Sequence, residues 1–62
     1  MNYYLVAFDR EGVLKKCVLV DRPFDFPLLP ENWDLDWIVV FDKHNDSDDA
    51  IETSRERIKD LL

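Results

Sequence analysis

Sixty-two residues carry fourteen acidic and eight basic side chains, giving a formal net charge of −6 and a pI near 4.4. That balance argues against unassisted binding to nucleic acid or to an anionic membrane, both of which need Lys/Arg patches, and it suits a protein partner with a basic surface. A single cysteine, Cys17, and a single histidine, His44, leave no intrachain disulfide and no four-ligand zinc site. A chain this short reads as one domain that buries only about 60 % of its unfolded surface. Its stability must come from dense packing of its two Trp, two Tyr and four Phe residues, or from association.

Met1 is followed by Asn2 and a strand-like run, with no basic n-region or cleavage site. No apolar stretch approaches the ~20 residues of a membrane span. Together with the unpaired cysteine this points to a reducing cytoplasm.

Residues 2–8, Asn-Tyr-Tyr-Leu-Val-Ala-Phe, are a near-continuous run of β formers. Gly12, the only glycine, closes the polar loop that follows, as in a hairpin turn with the glycine in the left-handed region. Residues 13–20, Val-Leu-Lys-Lys-Cys-Val-Leu-Val, make the return strand. Pairing Phe8 with Leu14, Val6 with Lys16 and Tyr4 with Val18 gives one face of Tyr4, Val6, Phe8, Leu14, Val18 and Val20. The other face is Tyr3, Leu5, Ala7, Cys17 and Leu19. Lys15 and Lys16 sit mid-strand, which marks an edge strand. The first strand is therefore expected in the centre, in order 2-1-3 with the third strand parallel to it. The rival is an antiparallel meander in order 1-2-3.

Pro23, Pro27 and Pro30 rule out a central strand or long helix over residues 21–32. Phe24, Phe26, Leu28 and Leu29 suit a crossover packed on the sheet or, if exposed, a docking patch. From Trp33 to Asp42 the chain alternates. Trp33, Leu35, Trp37, Val39 and Phe41 form an apolar face, while Asp34 and Asp36 open the other face and Asp42 closes it. A third strand near 35–42 is expected, its odd face meeting Ile51, Ile58 and Leu61 of a following helix. That helix is expected over 48–61, capped by Asp46 or Ser47, with Asp48, Asp49 and Glu52 at the favourable end of its dipole. Glu52–Arg55 and Glu56–Lys59 are spaced as surface ion pairs. The fold class is thus α+β, a small two-layer β-β-β-α sandwich of hairpin, Pro/Phe-rich crossover, third strand and C-terminal helix.

No reaction motif accompanies this pattern. His44 falls in a polar turn, Cys17 alternates with apolar neighbours, and one glycine cannot form a phosphate cradle. Asp42, His44, Asp46 and Asp48 alternate as calcium ligands do, but Ser47 and Thr53 stand where such a loop needs Gly and Glu. Neither enzyme nor cofactor chemistry is expected. The strongest signal is the acidic surface, and the expected partner contacts are Asp34, Asp36, Asp46, Asp48, Asp49, Glu52 and Glu56. A row of carboxylates can stand in for duplex phosphates on a basic, nucleic-acid-handling protein.

In size, charge and lack of catalytic residues the chain resembles small acidic inhibitors of phage or mobile-element origin. The resemblance implies an inhibitor or modulator, with an antitoxin covering a basic nuclease as a variant of the same idea. The structural alternative is a homo-oligomer or assembly subunit, a homodimer for example, that uses Tyr3, Leu5, Cys17 and Leu19, or Phe24 and Phe26, as its face.

Overall fold

The computed structural model describes residues 1–20 and 32–62. Strands β1 (Asn2–Phe8), β2 (Leu14–Val20) and β3 (Ile38–His44) form one sheet in the order β2-β1-β3. Helix α1 (Ser47–Ile58) follows and tightens into a 3-10 turn over Lys59–Leu61. This is the expected α+β sandwich, with α1 packed on one face of the sheet. The expected crossover over Phe24–Leu29 lies outside the described residues.

The hairpin turn is as its sequence implies. Asp9 N–H donates to Val13 O at 2.9 Å, Gly12 N–H donates to Asp9 O at 3.0 Å, and Gly12 has φ +87°. Past the turn the register departs from the expected one. Phe8 pairs with Leu14, but Ala7 pairs with Lys16 and Val6 with Cys17, leaving Lys15 as an extra, bulged residue. A regular ladder would have set Lys16 opposite Val6, which is fully buried under α1. The bulge puts Cys17 there instead. Because the side-chain period is two, every later residue of β2 changes face. Cys17 and Leu19 join the helix side, and Val18 and Val20 the other. The expected oligomer face of Tyr3, Leu5, Cys17 and Leu19 is therefore split between the two sides of the sheet.

The third strand lies beside β1 as expected, but it is antiparallel, with Asn2 opposite His44 and Phe8 opposite Ile38. Burial explains the direction. β1 becomes more buried towards Phe8, and the antiparallel register sets apolar Ile38–Phe41 against that end. Parallel pairing would have put Asp42 and Lys43 beside the buried end of β1, where their desolvation is costly. The strand also begins later than expected. Asp34 accepts the Asp36 N–H on its side chain at 2.9 Å and the Trp37 N–H on its carbonyl at 3.2 Å, so residues 34–37 form a turn. Leu35, at the tip, is 88 % exposed.

The sheet has apolar residues on both sides. Tyr4, Val6 and Phe8 pack with Ala50 and Ile58 of α1, joined by Leu14, Cys17, Ile38, Val40 and Ile51. On the opposite side Leu5 and Ala7 pack with Trp33, joined by Val20, Trp37, Val39 and Phe41. It is thus Ile38 and Val40, not the odd face of Trp33 to Phe41, that meet the helix. The helix stripe runs through Ala50, Ser54 and Ile58, four residues apart, while Leu61 and Leu62 are exposed. Among the described residues no helix is long and apolar enough to cross a membrane.

Candidate functional site

The expected contact residues fall into two groups. Asp34 and Asp36 sit in the turn before β3, at the Phe8 end of the sheet. Asp46, Asp48, Asp49, Glu52 and Glu56 follow its far end. Seven strand residues, roughly 23 Å at 3.3 Å each, separate the Asp34–Asp36 turn from the start of α1. The seven do not make one continuous patch.

Several carboxylates have work inside the fold. Asp46, not Ser47, caps α1: its backbone is extended and Oδ1 accepts the Asp49 N–H at 2.8 Å. Asp49 Oδ2 lies 3.2 Å from His44 Nδ1. Asp34 holds its turn, and Glu56 pairs with Lys59 at 3.2 Å, as its spacing implies. Exposed pairs of that last kind contribute ~0–1 kcal/mol. Two carboxylates outside the expected set are also engaged. Asp9 Oδ1 accepts from both Glu11 N–H and Val13 N–H at 2.9 Å. These backbone donors, Val13 foremost, together with Lys15, hold the Asp9 carboxyl below its ordinary range. Asp42 accepts the Lys43 N–H at 2.8 Å and pairs with Arg57, and both lower its carboxyl, the backbone donor most.

That leaves Asp36, Asp48 and Glu52 as the expected contacts without a side-chain hydrogen bond or ion pair in the described structure. Asp48 and Glu52 are exposed and one helical turn apart. The cations of α1 and its 3-10 extension are directed elsewhere. Arg57 reaches back to Asp42 on β3, Lys59 to Glu56, and Arg55 lies 5.7 Å from the centre of the Phe8 ring. The expected Glu52–Arg55 pair does not form. The first half of α1 therefore presents carboxylates without interleaved positive charge. Burial, and secondly the charge of Asp48, push the Cys17 thiol up from its ordinary value of 9.0.

His44 departs most from expectation. It is only 5 % exposed, in the sheet-to-helix layer, with the Tyr4 ring 6.4 Å away. Its position opposite Asn2 turns it to the helix side, and the first turn of α1 covers it. A carboxylate can only accept, so Nδ1 carries the hydrogen donated to Asp49. Among the described residues Nε2 is buried without a partner, as is the hydroxyl of Ser54. The sequence signal for this burial was the alternation of Asp42 and His44 with Val40 on one strand face, once the strand is extended to His44.

On the other side of the sheet Tyr3 stacks on Phe41 with ring centres 5.3 Å apart, Lys43 Nζ stands 5.2 Å from the Tyr3 ring, and Trp33 meets Trp37 at 6.1 Å. Among the described residues no three His, Cys, Asp or Glu side chains are grouped to hold a metal ion. No protein-family model, curated protein or solved structure matches this chain.

Proposed function

We propose that this chain is a small, non-enzymatic cytoplasmic protein that docks the carboxylates of α1 onto a basic, nucleic-acid-handling protein and modulates it. The observation that carries the reading is the division of charge on α1. Asp48 and Glu52 are exposed and have no side-chain partner among the described residues, while Arg55, Arg57 and Lys59 are drawn into contacts within the chain. Asp49 and Glu56 extend the surface only by giving up their contacts with the buried His44 and the exposed Lys59. Asp46 keeps its capping bond and adds charge at the rim. Asp34 and Asp36, at the other end, join only if the partner spans both ends.

Residues 48, 52 and 56 rise about 6 Å per step along a helix. The row of carboxylates can thus stand in for a run of duplex phosphates. Occupying a phosphate-binding groove would displace the counterions held there and make the complex salt-sensitive. The test is to capture partners from host extract at low salt on the immobilised chain and then add excess duplex DNA. The proposal predicts that the duplex releases the captured protein. Retention in the presence of duplex would contradict a shared groove.

A further inference from the structure

We draw no further inference here: the strongest candidate, the aromatic face of the sheet away from α1 where Tyr3 stacks on Phe41 beside Lys43 and Trp33 meets Trp37, is an apolar surface for which nothing in the structure shows what covers it.

Discussion

Ser54 sits at 0 % exposure on the sheet side of α1, and its hydroxyl has no hydrogen-bond partner among the described residues. An unsatisfied buried hydroxyl costs about 1–3 kcal/mol, and alanine is the better helix former. Ser54→Ala is therefore expected to stabilise the fold by about 1 kcal/mol, seen as a higher urea midpoint at unchanged slope. A lower midpoint would mean that the hydroxyl has a partner in solution. Asp9 and Asp42 contribute to the response to acid. Both carboxyls are held below their ordinary value of 3.8 by backbone donors and a nearby cation. The unfolded chain thus takes up these protons first. The stabilisation is complete above that value and is lost as the pH falls below about 4 through the lowered folded values. Thermal melts from pH 6 to pH 2 should show the midpoint falling in that window, and less steeply in Asp9→Asn and Asp42→Asn, where the titrating group is gone. Identical profiles for wild type and variants would contradict this role.

At the scale of elements, the strands and helix were legible where one local rule decided them. Gly12 marked the hairpin, the paired lysines marked β2 as an edge, and Asp46 marked the start of α1. What the sequence did not show were choices made by packing between elements. The bulge at Lys15 exists because Val6 needs a small apolar neighbour under the helix, and no turn residue announces it. The direction of β3 follows from matching its polar end to the exposed end of β1, a comparison that local alternation cannot make. Asp34 looked like the start of a strand, whereas its side chain closes a turn. Ala50, buried in the helix stripe, gives only a weak periodic signal because its side chain is a methyl group. Net charge also counts every carboxylate as surface, whereas Asp34 and Asp49 each make an internal bond. The bulge yields a specific prediction. Deleting Lys15 leaves Leu14 opposite Phe8, Lys16 opposite Ala7 and Cys17 opposite Val6, a regular ladder with the same faces. The deletion variant should fold, losing only the half-exposed Lys15–Asp9 contact, and should keep Cys17 as slow to react with a thiol reagent as in the wild type. Rapid labelling, or loss of the folded circular dichroism signal, would show that the bulge itself is needed.

For the molecule as a whole, one thin apolar layer lies on each side of a three-stranded sheet, which leaves little stability to spare in a domain of this size. Against that background, unpaired carboxylates on a short helix are a poor investment in stability. Asp48 gains from the helix dipole, but Glu52 lies beyond the first turn and repels its neighbours. Their arrangement makes more sense as recognition than as support. The most direct test is the affinity of the captured partner as a function of salt, compared between the wild type and the Asp48→Asn/Glu52→Gln variant. These two side chains make no hydrogen bond or ion pair among the described residues, so the variant should keep its fold, which circular dichroism checks. The wild type is predicted to bind tightly at low salt with a steep fall in log affinity against log salt, and the variant to bind more weakly with a shallower slope. Equal affinities and equal slopes would contradict docking through α1.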